Sequence, residues 1–219
     1  WAYFGLRRGG RLLYALDISN PDSPSFLWKV SPLNAGLGEL GQTWSRPLPT
    51  FVPGYLNGNG DPQPVVIFGA GYDTNKDDSG IGTPDSMGRG VFVVDAETGA
   101  LVRSVTPAAG SLTNVQDTRL AHSVPAAIAG LDINASGFAD RVYFGDTGGN
   151  VWRLDIGERL PDGNDSTETW FVSHSADLNG STTATDRRFF NKPGVVRTRL
   201  EGTLVDLVTI GSGDRTNPL

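Results

Sequence analysis

An apolar strand ending in glycine, a turn, and a second apolar strand ending in aspartate recur along this chain, and that repeat constrains its fold more than any other feature. The copies read YFGLRRGGRLLYALD at 3–17, VVIFGAGYD with a long insertion and then GVFVVD across 65–95, and VYFGDTGGNVWRLD at 142–155. LVTIGSGD at 207–214 starts a fourth. Each complete second strand leads into another β-rich run: FLWKVSP (26–32), ALVRSVTP (100–107) and TWFVSHSA (169–176). Each later copy is preceded by a segment with proline near its start: SRPLPTFVPG (45–54), HSVPAAIAG (122–130) and KPGVVRTRLEG (192–202). The unit is therefore four antiparallel strands. One such unit cannot bury both of its faces, so neighbouring copies must stack on it, as the blades of a β-propeller do. The expectation is an all-β propeller fragment forming one domain over 1–219, with pieces at about 1–32, 43–107, 122–176 and 192–219. That is roughly half of a ring that typically has ~4–8 blades.

The glycine closing each repeat strand predicts either a close backbone approach at the narrow centre of the ring or a plain turn. Asp17, Asp95 and Asp155 repeat with the unit, which points to turn capping rather than catalysis.

The connection Asp132-Ile-Asn134-Ala-Ser136-Gly137-Phe138-Ala-Asp140 places oxygen donors at positions 1, 3, 5 and 9 around a glycine at position 6. A hard cation draws about 6–8 oxygens from a short segment, and alternate residues of a tight loop point inward while glycine takes the bend. The expected ligands of a Ca2+ ion are Asp132, Asn134, Ser136, the Phe138 carbonyl and Asp140, with water completing the shell. Position 12 is Tyr143, inside an apolar strand, so the loop reads as a calcium-clipped β-hairpin and not as an EF-hand. Two formal charges imply weak binding, roughly 10⁻⁵ to 10⁻³ M.

Two other loops invite the same reading and fail it. Tyr55–Gln63 keeps Asn57, Asn59 and Gly60 but has Tyr55 and Gln63 at the two aspartate positions, so it reads as a metal-free copy. Asp73-Thr-Asn75-Lys-Asp77-Asp78 starts like a second calcium loop, yet aspartate occupies the bend and Lys76 adds a positive charge. With the insertion through Gly80, Gly82, Pro84 and Gly88, it reads as an exposed acidic loop, open to a capping or partner-binding role. The corresponding hairpin of the last copy is only Leu200-Glu-Gly202.

The remaining candidates carry little chemistry. His122 and His174 lack metal-binding spacing, and Ser123 beside His122 would point to the opposite face of a strand. Trp28, Trp152 and Trp170 are expected in the core, and packing is also favoured for Trp44 and Tyr55 over a role in sugar stacking. Arg7-Arg8 and Arg187-Arg188 are too short to track nucleic acid, and a net charge of -6 argues against nucleic acid or an anionic membrane as main partner. The absence of cysteine excludes disulfides and thiol chemistry, while leaving the compartment open. No apolar run reaches the ~18 residues of a membrane-spanning helix. Trp1–Gly5 does not look like a secretory leader, and the chain begins and stops near strands, as a fragment of a longer protein would.

GRLLYALDISNPDSPSFLWKVSP, GELGQTWSRPLPTFV, GRGVFVVDAETGALVRSVTP, HSVPAAIAGLD and DRVYFGDTGGNVWRLDI resemble the C-terminal β-propeller domain of the PilY/PilC family of type IV pilus tip proteins. DLNGSTTATDRRFFNKPGVV and LVTIGSGDR extend the resemblance over nearly the whole chain. The resemblance implies a non-enzymatic protein secreted through the periplasm to the cell surface, at the pilus tip or outer membrane. It would support pilus biogenesis, extension against retraction, twitching motility and attachment to a host or abiotic surface, with type IV pilins or minor pilins as partners. It also implies a calcium site at Asp132, Asn134, Ser136, Phe138 and Asp140; the family's loops are more acidic than Asn134 and Ser136, which bears on affinity more than on location. No Arg-Gly-Asp sequence is present, so integrin binding is not transferred.

LYALD and VVDAETG also resemble strands of quinoprotein propellers, which makes a calcium-dependent quinone dehydrogenase the alternative of a different class. The missing cysteines and the lack of a cofactor constellation near the acidic loop count against it. A glycan-binding propeller is a third reading.

Overall fold

A computed structural model of the chain describes residues 1–78, 80–157 and 170–215. Among these residues the strands form four sheets that follow one another in sequence. The first contains β1 (Ala2–Gly5), β2 (Leu13–Asp17) and β3 (Ser25–Val30). The second contains β4 (Leu48–Leu56), β5 (Pro62–Gly69), β6 (Val91–Asp95), β7 (Leu101–Thr106) and β8 (Asn114–Gln116). The third contains β9 (Ala129–Leu131), β10 (Arg141–Gly145), β11 (Asn150–Asp155) and β12 (Phe171–Asp177), and the fourth the hairpin β13 (Gly194–Leu200) and β14 (Thr203–Thr209). The sheets are antiparallel and all-β as expected, with three, five, four and two strands, so the third alone is the expected four-strand unit. Thr169, where the last β-rich run was expected to begin, and 216–219 at the end of the last piece lie outside the described residues.

All neighbours within a sheet are antiparallel except β8, which adds to the edge of β7 in parallel. No local pattern announces β8. It is three residues long, and Asn114 holds it there by accepting from the Ser104 and Thr106 hydroxyls at 2.8 and 3.0 Å. A short strand over an edge covers backbone groups that would otherwise invite pairing.

Period-two alternation decides how the sheets stack. On β5 and β6, Val66, Phe68, Phe92 and Val94 pack toward the first sheet with Leu13, Ala15, Trp28 and Val30. Their alternates Val65, Ile67, Val91 and Val93 pack toward the third sheet with Val142, Phe144, Trp152 and Leu154. The second sheet is therefore buried on both faces, and its strands read as continuous apolar runs instead of alternating ones. Each such side chain contributes roughly 1.5–3 kcal/mol relative to exposure. The fourth sheet differs: Val196, Leu200, Leu204 and Leu207 are exposed.

The repeat-strand glycines are sites of close approach. A Cβ on Gly5 would lie 2.3 Å from the Thr43 carbonyl, and one on Gly69 2.3 Å from the Val124 carbonyl. One on Gly145 would meet Ile210 and Phe189 at 2.6 and 2.7 Å. In each case the obstacle includes the segment leading into the next sheet. Backbone bonds mark the same junctions, from Arg7 N–H to Thr43 O, Gly71 N–H to Val124 O and Phe189 N–H to Asp146 O, at 3.1, 3.1 and 3.0 Å. Glycine is required at Gly5 and Gly69 because successive sheets touch backbone to backbone there, and at Gly145 because the Phe189 and Ile210 side chains fill the space.

Candidate functional site

Pairing of Leu131 with Arg141 leaves residues 132–140 as the connection between β9 and β10. Asp132 organises it. Its Oδ1 accepts from the N–H groups of Asn134 and Ser136 at 3.3 and 3.1 Å, and its Oδ2 from Gly137 N–H at 2.7 Å. These bonds, Gly137's foremost, hold the Asp132 carboxyl below the usual carboxylate range. Asn134 Oδ1 accepts from Ser136 N–H at 3.0 Å, and Asp140 Oδ2 reaches back across the loop to Ile133 N–H at 2.8 Å. The turn needs left-handed backbone at Ala135 (φ 60°) and Gly137 (φ 89°), which glycine supplies without strain at the second position.

The donor set suits a hard cation. Asp132 and Asp140 carry the charge, and the Asn134, Ser136 and Phe138 oxygens are the neutral ligands that oxygen-seeking cations accept. Backbone N–H groups already orient the first carboxylate from inside the turn. Among the described residues no three acidic or histidine side chains converge as a metal centre, so an ion here would depend on two carboxylates and neutral oxygens.

The loop is also a junction. Ala139 donates its N–H to Phe51 O on β4 at 2.9 Å, and the Phe138 ring meets Phe51 edge-on at 6.2 Å, which ties the loop to the second sheet. Immediately after Asp140, Arg141 donates to Asp155 at 2.6 Å and to Asp206 on β14, where Tyr143 also donates at 2.8 Å. One stretch of ten residues therefore joins three sheets.

The loop read as a metal-free copy takes another form. Leu56 pairs with Pro62, so its connection is residues 57–61, shorter than Tyr55–Gln63. Asn57 is the counterpart of Asp132: its Oδ1 accepts from Asn59 and Asp61 N–H groups, both at 2.9 Å. The expected alignment was two residues out of register because the loops differ in length. Tyr55 is not a loop position at all. It packs against the core and donates its hydroxyl to Asp95 at 2.8 Å.

The expectation of an exposed acidic loop at Asp73–Asp78 holds at Thr74, Asp77 and Asp78, which are exposed, and is corrected at Asp73 and Lys76. Asp73, Lys76 and Asp85 are buried. Asp73 caps a 3-10 turn over Thr74–Asp77 through Asn75 N–H, and accepts from Ser86 N–H and hydroxyl at 2.7 and 2.8 Å. Lys76 Nζ sits 3.5 Å from Asp85 Oδ1 and donates to the Thr83 carbonyl. Asp85 Oδ2 accepts from Ser123 N–H at 2.6 Å and the Thr147 hydroxyl at 2.8 Å. Three charged side chains of the insertion turn inward: Asp73 and Lys76 bond within it, and Asp85 reaches Ser123 and Thr147 in segments next to the third sheet. Composition alone makes such a segment look solvated, and no local signal announces those partners.

The other candidates are structural. Asp17 and Asp95 cap their turns, Asp17 through Ser19 and Asp95 through Glu97 and Thr98, but Asp155 instead pairs with Arg141 and Arg153. Trp28, Trp152 and Trp170 are buried, and Trp44 packs with Tyr72 and Phe190. Ser123 Oγ meets the Thr147 hydroxyl, while the His122 ring lies against Gly148, away from it. His174 is exposed, stacks on Trp152 and bonds Asn150 at 2.9 Å.

Consecutive antiparallel sheets joined backbone to backbone, with an Asx-rich hairpin in the third, define an all-β domain of a kind already solved. The fold matches the crystal structure of the Pseudomonas aeruginosa PilY1 C-terminal domain with a TM-score of 0.64 and 25% identity, over 98% of this chain and 41% of that one. The chain is a homologue of PilY1. It is 33% identical over 153 residues to the type IV pilus biogenesis factor PilY1 of P. aeruginosa PAO1, a match covering 69% of this chain. A PilY1 homologue of Xylella fastidiosa is 27% identical over 162 residues, 72% of this chain. The matches span only 11% and 10% of these relatives' lengths. No family model matches the chain. No helix among the described residues is long and apolar enough to cross a membrane.

Proposed function

We propose that this chain is a calcium-binding β-propeller segment of a type IV pilus biogenesis and tip adhesin protein, exposed at the cell surface and acting without catalysis. Homology to PilY1 together with the shared C-terminal fold is the observation that carries the reading. In this role the four sheets are blades, and the 132–140 hairpin is where a cation acts. Asp132, Asn134, Ser136, the Phe138 carbonyl and Asp140 would hold it. Calcium supplies positive charge that offsets the repulsion between the two carboxylates and favours the closed loop. The loop's own contacts do the rest: Phe138 and Ala139 keep it on β4, and Arg141 keeps β10 on β14. A stiffened junction of three blades would present a steady surface to a pilin or minor pilin and to the substratum, supporting extension against retraction, twitching motility and attachment.

Calcium titration calorimetry on the chelator-stripped chain, beside Asp132→Ala and Asp140→Ala, tests the site. One binding event lost in both variants, followed by altered retraction in cells carrying them, is the expected result. Absence of heat, with thermal stability unmoved by calcium, would reduce the loop to a turn.

A further inference from the structure

We propose that Lys76 and Asp85 join spontaneously through an amide between Nζ and Cγ, closing the β5–β6 insertion covalently. The two groups are 3.5 Å apart with side chains 2% and 0% exposed. Every other ion pair among the described residues uses arginine, whose guanidinium is a poor nucleophile, whereas a lysine amine forms acyl bonds readily once neutral. Asp85 is held as an acceptor of attack. Its Oδ2 lies between Ser123 N–H and the Thr147 hydroxyl, a pair of donors placed where negative charge would develop on addition to Cγ. Its Oδ1, on the side of Lys76, is buried and has no hydrogen-bond partner.

The reaction balances without an outside reagent. The ammonium gives one proton to the carboxylate, and the neutral amine adds to Cγ while Oδ2 takes up the negative charge. The nitrogen loses a second proton, the bond from Cγ to Oδ1 breaks, and Oδ1 leaves as water. One C–N bond replaces one C–O bond, and an ammonium and a carboxylate become an amide and water. His122 can carry the second proton. Its Nδ1 is buried without a partner, burial holds the imidazole below its ordinary value, and its electrostatic neighbours are Asp146, Lys76, Asp85 and Asp177. The product also removes what the folded chain otherwise tolerates at this point: two charges out of water and an unpaired carboxylate oxygen. In a chain without cysteine it would be the one covalent brace.

The intact mass of the purified chain and a tryptic map decide the matter. The expected mass is lower than that of the sequence by one water, with a fragment from Val30 to Arg89 left uncut at Lys76 and lighter by the same amount. Lys76→Met should restore the full mass apart from the substitution. Thr147→Val, which leaves Lys76 and Asp85 in place, should slow closure on the order of 100-fold and leave a mixture of open and closed chains. A full sequence mass with cleavage at Lys76, in a chain whose circular dichroism shows it folded, overturns the proposal. So does a water deficit carried by the 77–89 fragment after cleavage at Lys76, because that identifies a succinimide at an aspartate of the insertion instead of the cross-link.

Discussion

The hairpins at 57–61 and 132–140 connect equivalent strands of neighbouring sheets and are closed by the same device, yet they differ in what they can do. In each, the first side chain accepts from the N–H groups two and four residues on. Asn57 does this as a neutral amide, and the chain returns at once to β5. Asp132 does it as a carboxylate, and the longer excursion brings a second carboxylate, Asp140, back over the turn. Turn chemistry explains both shapes. The charge and the extra length are what the proposed cation site has and the closed turn at 57–61 lacks. Their bases differ as well: Tyr55 with Asp95 supports one, and Arg141 with Asp155 and Asp206 the other.

The largest break in that comparison should come from Arg141→Met. Asp155 would keep only Arg153, and Asp206 only Arg197 at 4.0 Å, and stability should fall by about 2–3 kcal/mol because partly buried charges lose the cation they share. Urea unfolding gives the magnitude, and hydrogen exchange should show β13 and β14 losing protection while 57–61 keeps it. Equal loss at both hairpins would mean that the clamp is not local to the third and fourth sheets.

Calcium at 100 times its Kd should stabilise the chain by about 2.7 kcal/mol and protect 132–140 but not 57–61. Asp140→Ala should abolish the response and Asp61→Ala should leave it, as calorimetry and exchange can check. A response that survives Asp140→Ala moves the ion elsewhere. Tyr55→Phe should cost about 1 kcal/mol, the scale of one hydrogen bond, and loosen only the base of the 57–61 hairpin in exchange measurements.

Acid should have the smallest effect above pH 4. Burial raises the Asp206 pKa, but hydrogen bonds from Tyr143 and Arg141 outweigh it; at Asp95 burial is likewise outweighed by bonds from Thr98 and Tyr55. Both pKa values are therefore depressed in the folded chain, so their contribution is present above the unfolded value of about 3.9 and is lost as pH falls through the lower folded values. Exchange at the two hairpin bases, followed downward from pH 4, should report the loss. In Tyr55→Phe the Asp95 end should begin to open at higher pH than in the unmutated chain.

Much of this was legible in the residues. The strand-glycine, strand-aspartate unit located β1, β2, β5, β6, β10 and β11, because alternation and turn residues act over a few positions and leave a local trace. The spacing from Asp132 to Asp140 was read for its oxygen donors; that the loop closes on Asp132 through backbone N–H groups is seen only in the structure. The burial of Asp73, Lys76 and Asp85 is not legible, since a polar segment looks the same whether its partners are water, its own Ser86 and Thr83, or Ser123 and Thr147 some forty to sixty residues away.

The amino-acid order by itself determined the antiparallel strand unit, its recurrence and the Asx-rich hairpin, all of which rest on short-range backbone preference and side-chain period. Tertiary structure alone decided the parallel addition of β8, the short register of 57–61, the junction of Arg141 with Asp206 and the inward fold of the insertion. Each of these depends on hydrogen bonds or ion pairs between residues distant in sequence, whose free energy exists only once the sheets have stacked.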